Sequence, residues 1–285
     1  MDVCAGIILH NPDITRLQKN IDAVLPQVKR LFLVDNASDN IKKLQEAFTD
    51  DRIDWIENDI NKGVSGALNQ MIDLADKNGY EWILTLDDDS VCGDNMVAEL
   101  LTATSHYDNI AVISPRTIDR DVSAVKTIKN EPLDDIEEID MCITAGSLTG
   151  VKAVIETGGF DERLFIDHVD HDMCLRLKRR GYRIVKVNTA IIYQEFGRET
   201  IRRRFLWKIY TQRGYAPFRV YYQTRNSVYM VRKYGKEFKS KPCYYCIHLI
   251  FAFFGRFIYE PKRLSRLKAF ISGYIAGIFM KLEKK

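Results

Sequence analysis

The chain of 285 residues has no disulfide framework. Its six cysteines, at positions 4, 92, 142, 174, 243 and 246, follow no regular spacing, and a chain of this length can bury a core without staples. The pattern predicts reduced thiols in a cytosolic compartment. Cys243 and Cys246 form a CxxC in "PCYYCIHLIF", but no second pair completes a zinc site. The opening residues MDVCAGIILHN lack the charged, apolar and cleavage regions of a secretory signal. No repeat or low-complexity tract is present. Long apolar runs are missing too, since "CYYCIHLIFAFFGRFIY" (243–259) is short of a full span and is interrupted by His248 and Arg256.

Acidic residues are scarce in one region only. Residues 201–285 hold 20 of the 42 Lys/Arg but 3 of the 39 Asp/Glu, a net of +17. Residues 1–200 carry the remaining 22 and 36, a net of −14. The basic region also holds 20 of the 31 aromatic residues. These shifts predict two parts, 1–200 and 201–285. The second suits a polyanionic partner.

What is present in the first part is alternation. The buried runs "VCAGIIL" (3–9), "KRLFLVD" (29–35), "IDWIE" (53–57) and "EWILTLD" (81–87) read as strands. Helical patterns separate them at 14–25, 40–48 and 66–79, the last ending on Gly79. This order predicts an α/β fold with a mostly parallel central sheet. Ligands in such sheets bind beyond the carboxyl ends of the strands, where "VDNASDN", "ENDINKGVSGALN" and "LDDDS" fall. Asn61, Gly63 and Gly66 lie where a loop enters a helix, a place for backbone amides to meet a phosphate or base.

Three adjacent carboxylates at 87–89 would not be gathered for packing. Asp87 and Asp89 are two apart, so an extended chain points both to one side. Paired hard oxygens suit Mg²⁺ or Mn²⁺. A second acidic set, Asp167, Asp170 and Asp172, follows the Gly158–Gly159 turn and leads into a helix. Phe160, Leu164, Phe165 and Ile166 should anchor this segment. Asp172 reads as a helix cap, and Asp170, in the turn before the helix, as a carboxylate held over a reaction centre. His168 and His171 are expected on the surface.

Together these segments resemble family 2 glycosyltransferases of the GT-A fold, particularly the bacterial rhamnosyltransferase-like group. The similarity rests on "HNP" (10–12), "VDNAS" (34–38), "NKGVSGALN" (61–69), "LDDDS" (86–90), "GGFDERLFIDHVDHDMCLR" (158–176) and "YYQTRN" (221–226), in that order. The resemblance implies nucleotide-sugar binding by Asp35, Asn36, Asn61, Gly63, Asn69, Asp87 and Asp88. It also implies a metal, Mg²⁺ or Mn²⁺, at Asp87 and Asp89, and a catalytic base at Asp170. The implied reaction is transfer with inversion from a nucleoside-diphosphate sugar, dTDP-rhamnose or a UDP-linked hexose or galactofuranose, to a polyprenyl-diphosphate-linked glycan. One position departs from the pattern. Gln194, in "YQEFG" (193–197), stands where the family usually carries a metal-binding His, so either Glu195 or water substitutes or the metal is bound more weakly than in the family.

The basic region fits this setting. "KRLSRLKAFISGYIAGIFMK" (262–281) places Leu264, Leu267, Ile271, Tyr274 and Ile278 at helical spacing. With 243–259 it is expected to lie in the plane of an anionic membrane, on its cytoplasmic face in a bacterial cell. The alternative is a helical subdomain or an oligomer contact. Nucleic acid fits worse, because the region is more apolar than phosphate binding requires. Two rivals to the enzyme reading are a haloacid-dehalogenase-like phosphatase, which "LDDDSV" also fits but which expects the motif on an early strand, and a non-catalytic binding scaffold.

Overall fold

The computed structural model describes residues 2–119, 134–194, 201–205, 208–212, 216–235, 257 and 262–282. These divide into two compact units. The first comprises Met1–Phe165 and Val169–Phe196, and the second Ile166–His168 and Gly197–Lys285.

The first unit begins with the expected alternation: β1 (Val3–Leu9), α1 (Ile14–Val24), β2 (Arg30–Asp35), α2 (Ile41–Ala47), β3 (Ile53–Glu57), α3 (Gly63–Lys77) and β4 (Trp82–Asp87). Asp13 starts α1 by accepting the Arg16 backbone amide at 2.9 Å. Leu17, Ile21 and Val24 then bury one face of that helix. Four strands pair parallel in the order β3-β2-β1-β4. Gly6 on β1 permits the close approach of α3, because a Cβ there would lie 2.5 Å from Met71 Sδ.

Beyond β4 the expectation of a mostly parallel sheet is corrected. The chain continues through β5 (Val91–Cys92), α4 (Met96–Leu101), β6 (Ile110–Asp119), β7 (Ile136–Glu138), β8 (Ser147–Gly150), α5 (Val151–Glu156), α6 (Val169–Arg179) and β9 (Arg183–Gln194). These nine strands form one mixed sheet, ordered β3-β2-β1-β4-β8-β6-β9-β5, with β7 also on β9. Among the described residues, β6–β9 is the one parallel pair in this half; β4–β8, β6–β8, β5–β9 and β7–β9 are antiparallel. The reversal arises at β8, whose four buried residues insert between β4 and β6. β6 and β9 are far longer than β8 and shift register between Pro115 and Arg116, so their paired ends run past it.

In the second unit, β10 (Ile201–Phe205) and β11 (Lys208–Gln212) form an antiparallel pair. Helices α7 (Pro217–Tyr234) and α8 (Arg263–Phe279) pack together. Glycines allow the contact: a Cβ at Gly273 would lie 2.5 Å from Tyr221 O, and one at Gly277 would lie 2.6 Å from Arg225 O. Arg232 Nη1 donates to the carbonyls of Gly277 and Met280 at 2.8 and 2.7 Å, satisfying the end of α8. Residues in and around the "YYQTRN" stretch grip the strap Ile166–His168. Asn226 Nδ2 donates to Ile166 O and Asp167 O at 2.7 and 2.9 Å, and Arg219 pairs with Asp167 at 3.2 Å. His168, expected on the surface, is half-buried, with Nε2 lying 2.8 Å from Ser227 Oγ. Asp167 and His168 are both left-handed, at φ 64 and 65, so the strap depends on these partners. The CxxC and the rest of 243–259 except Phe257 lie outside the described residues, as does Glu195.

Candidate functional site

The rim formed by the carboxyl ends of β1, β2 and β4 gathers the first acidic groups. On β1, Leu9 pairs with Asp35 and Ile8 with Asp87, so β1 separates the two carboxylates. Two strand spacings put their backbones about 10 Å apart.

Asp35 is 2% exposed. Its Oδ2 accepts the Ser38 amide at 2.9 Å, and its carbonyl accepts Asn58 N and Nδ2. Oδ1 is buried with no hydrogen-bond partner among the described residues. Such an atom costs stability unless a water or a ligand donates to it. Asn36 acts within the protein, where its Nδ2 donates to Gly63 O at 3.1 Å and ties β2 to the start of α3.

Gly63 itself has φ +74, and a Cβ there would lie 2.5 Å from Phe165 O. That carbonyl accepts the Val64 amide at 2.6 Å, while Asn61 Oδ1 accepts the Gly63 amide at 2.8 Å. These amides at the start of α3 therefore meet protein oxygens. Further along the helix, Asn69 Oδ1 accepts the Phe160 amide at 2.7 Å. Its Nδ2 donates to Phe160 O at 3.0 Å and Glu162 Oε1 at 2.9 Å. The 61–69 and 158–165 segments are thus one braced structure.

The acidic loop after β4 is held from α1 and β9. Asn20, fully buried among the apolar residues of α1, donates to Asp87 O at 2.8 Å. One turn earlier, Arg16 Nη2 lies 3.7 Å from Asp89 Oδ2. Burial, reinforced by the Asp89 charge and opposed by Arg16 and His10, pushes the Asp88 carboxyl up to about 6. β5 follows the loop directly and pairs Val91 with Tyr193, which brings the end of β9 alongside. There Gln194, 7% exposed, donates Nε2 to Asp87 Oδ2 at 3.3 Å. Its Oε1 is buried and has no partner among the described residues.

Asp87, Asp89 and Gln194 Oε1 are hard oxygen donors of the kind Mg²⁺ and Mn²⁺ take, so these residues fit the expected ion. Among the described residues no three or more His, Cys, Asp and Glu side chains form a self-sufficient cage. Ions of this kind commonly keep waters in their shell, so a partial protein donor set does not by itself conflict with them.

Asp170 occupies the first turn of α6 rather than the expected turn before a helix. The left-handed residues end at His168, and the chain is helical from Val169. Asp170 Oδ1 accepts the His171 amide at 3.0 Å. Asp172 also lies in the first turn of α6, where it is fully buried and paired with Arg176 at 2.7 Å. Asp170 lines a small cavity with Cys142, Thr144, Ser147, Phe160 and Cys174. Ser147 pairs with Thr85 on β4, two residues before Asp87, so this cavity adjoins the same rim. Cys142 and Cys174 face each other with sulfurs 3.9 Å apart. That contact, with burial, raises the Cys142 thiol well above its ordinary range.

Residues 4–160 match the family model described as glycosyl transferase family 2. The chain belongs to that family. This glycosyltransferase is 24% identical over 249 residues to the dTDP-rhamnosyl transferase RfbF of Shigella flexneri, covering 81% of this chain and 80% of RfbF. Its fold is similar to that of solved proteins in complex with UDP or GDP-Man. GalNAc-T7 with UDP, GalNAc and Mn²⁺ aligns with TM-score 0.60 and 14% identity over 82% of this chain, which spans only 48% of that longer one. The mannosyltransferase PcManGT from Pyrobaculum calidifontis, in complex with GDP-Man and Mn²⁺, gives TM-score 0.56 and 12% identity over 96% of this chain and 73% of its own. S. aureus TarS 1–349 with UDP gives 0.56 and 12% over 81% and 66%. The glycosyltransferase therefore has a GT-A-like α/β fold with a mixed sheet and a helical C-terminal part.

Asn69, which the family resemblance assigns to the nucleotide side, makes these hydrogen bonds to protein. Arg16, Asn20 and Ser147 belong to the rim although no motif singles them out. Asn20 does carry a signal: it is a polar residue inside the apolar stripe Leu17–Ile21–Val24 of an amphipathic helix.

Proposed function

We propose that this glycosyltransferase moves L-rhamnose from dTDP-rhamnose to a growing lipid-linked cell-surface glycan, inverting the anomeric centre. The observation that carries this reading is the rim itself: an unsatisfied buried carboxylate oxygen on Asp35 and the Asp87–Asp89 loop flank the end of β1. A nucleoside diphosphate has a base with an N–H donor at one end and charge at the other, and would bridge those two features. The rhamnosyl assignment draws on the similarity to RfbF along most of both chains.

In this reading Asp35 Oδ1 accepts the base N–H, while Asn36, Asn61 and Gly63 build the loop beside it. Asp87, Asp89 and Gln194 would hold Mg²⁺ or Mn²⁺, with Asp88 on the sugar-nucleotide side. The ion, when bound, neutralises the departing nucleoside diphosphate. Asp170 already uses Oδ1 on the His171 amide, which leaves Oδ2 to take the proton of the acceptor hydroxyl. As that oxygen bonds to the anomeric carbon, the bond from carbon to the phosphate oxygen breaks on the opposite face.

The second unit would place the enzyme on the cytoplasmic face of the membrane, where a polyprenyl-diphosphate acceptor is presented. Support comes from the net +17 of residues 201–285 and from α8, which exposes Leu264, Ile271, Tyr274, Ile275, Ile278 and Phe279. No helix among the described residues is long and apolar enough to cross a membrane. Mass spectrometry of products formed from dTDP-, UDP- and GDP-sugars with a lipid-linked acceptor tests the assignment. Transfer from dTDP-rhamnose is expected; transfer only from a UDP-sugar would replace rhamnose by a hexose or galactofuranose. Phosphate release without glycosyl transfer would overturn the reading altogether.

A further inference from the structure

Helix α1 presents two polar residues to the acidic loop at i and i+4 spacing. Asn20 fixes the loop backbone through Asp87 O, and Arg16 sets a guanidinium 3.7 Å from Asp89 Oδ2. Both side chains of the ion pair are 30% exposed, so water can reach them and neither is sealed into place. Arg16 is held at its own end as well, because its backbone amide donates to the Asp13 cap. The Arg16 charge thus sits on the carboxylate that, with Asp87, offers the hard oxygens for a divalent cation.

A divalent cation drawn to Asp89 Oδ2 would meet the Arg16 charge 3.7 Å away and be repelled by it. We infer that Arg16 is a positioning residue that holds Asp89 in the metal-free protein, and that a divalent cation binds by displacing it. Metal uptake at this loop is an exchange of one cation for another. The inference rests on the reading of Asp87 and Asp89 as metal ligands. The pair is partly solvated, so the competition is modest in size: removing the Arg16 charge should tighten metal binding about two- to fivefold.

Mn²⁺ titration followed by electron paramagnetic resonance measures this directly, without turnover, on the full-length wild type and on Arg16→Gln, Arg16→Lys and Asp89→Asn. Arg16→Gln is expected to bind Mn²⁺ more tightly than wild type, and Arg16→Lys, which keeps the charge, to stay near it. Matching thermal unfolding of the variants checks that each is folded. If Arg16→Gln binds Mn²⁺ no more tightly than wild type while Asp89→Asn loses it, the role of Arg16 is overturned and the metal reading stands. If Asp89→Asn binds as wild type does, or wild type binds no Mn²⁺, the metal reading fails and the inference with it.

Discussion

Asn69 and Phe160 are ninety-one positions apart and bonded in both directions: Asn69 Oδ1 accepts the Phe160 amide, and Asn69 Nδ2 donates to the Phe160 carbonyl. This is the geometry of a strand pair reproduced by a single side chain. It ties α3, which starts beside Asn36, to the turn that leads toward Asp170. Asn69→Ala removes both bonds and leaves a partly buried amide and carbonyl to find water. Denaturant unfolding should show a loss of about 1–3 kcal/mol. Nucleoside-diphosphate affinity should hold, since Asn69 is occupied by protein partners. A variant with wild-type stability and weakened nucleotide binding would return Asn69 to the nucleotide.

Asp35→Asn probes the base. Ser38 N–H requires an oxygen at the Oδ2 position, so the amide NH₂ of the variant must take the place of Oδ1. A donor then faces a donor. Calorimetry with dTDP should show affinity reduced by about tenfold or more. Unchanged affinity would place the base elsewhere.

Asp170→Asn should lower turnover by about 10²–10⁴ while leaving donor binding intact, because the amide cannot take the acceptor proton. Transfer at the wild-type rate would show that Asp170 is not the base and would favour another group on the rim.

The thiols of Cys4 and Cys92 are pushed up to about 12 by burial. In the unfolded chain they ionise near pH ~9. The folded state keeps protons that the unfolded state loses, so stability is full below that pH and falls as pH rises toward 12. Each thiol contributes a slope of about 1.4 kcal/mol per pH unit in that window. Thermal unfolding of Cys4→Ala/Cys92→Ala should therefore decline less steeply than wild type between about pH 9 and 11. Parallel curves would show that other groups control the alkaline loss.

Ile271→Glu/Ile275→Glu on α8 tests the membrane. Wild type should sediment with phosphatidylglycerol vesicles and less with phosphatidylcholine, and the double variant should stay in solution. A wild type that ignores vesicles but dimerises in light scattering, with the variant monomeric, would assign this face to a second copy.

The first half of the sheet is legible in the sequence because β1, β2 and β4 are buried on both faces and read as unbroken apolar runs. β5 and β7 escape notice because two or three residues carry no periodic signal, and their pairing is set by β9, far along the chain. The acidic loop is readable from composition: no core gathers Asp87, Asp88 and Asp89. Its companions are not. Arg16 looks like one more basic residue on an exposed helix face, and only the fold brings it to Asp89. Gln194 stands out as a departure from a motif, but its hydrogen bond to Asp87 depends on the β6–β9 ribbon running past β8. Asp170 reads as a turn residue because nothing in the sequence reveals that the chain turns left-handed at Asp167 and His168 and is already helical at Val169.

The reversed direction of β8 has one more effect. A parallel strand beside β4 would begin at the opposite edge of the sheet and carry its leading loop away from the carboxylates. Because β8 runs backwards, Ser147 arrives level with Thr85, and the residues from Cys142 to Gly146 are delivered to the acidic edge. One shoreline thus receives chain from both directions: strands ending there supply Asp35, Asp87 and Gln194, and a strand starting there brings Cys142, Thr144 and Ser147 beside Asp170. Changes to the 142–146 segment can therefore reshape what reaches Asp170 without disturbing the strands that carry Asp35 and Asp87.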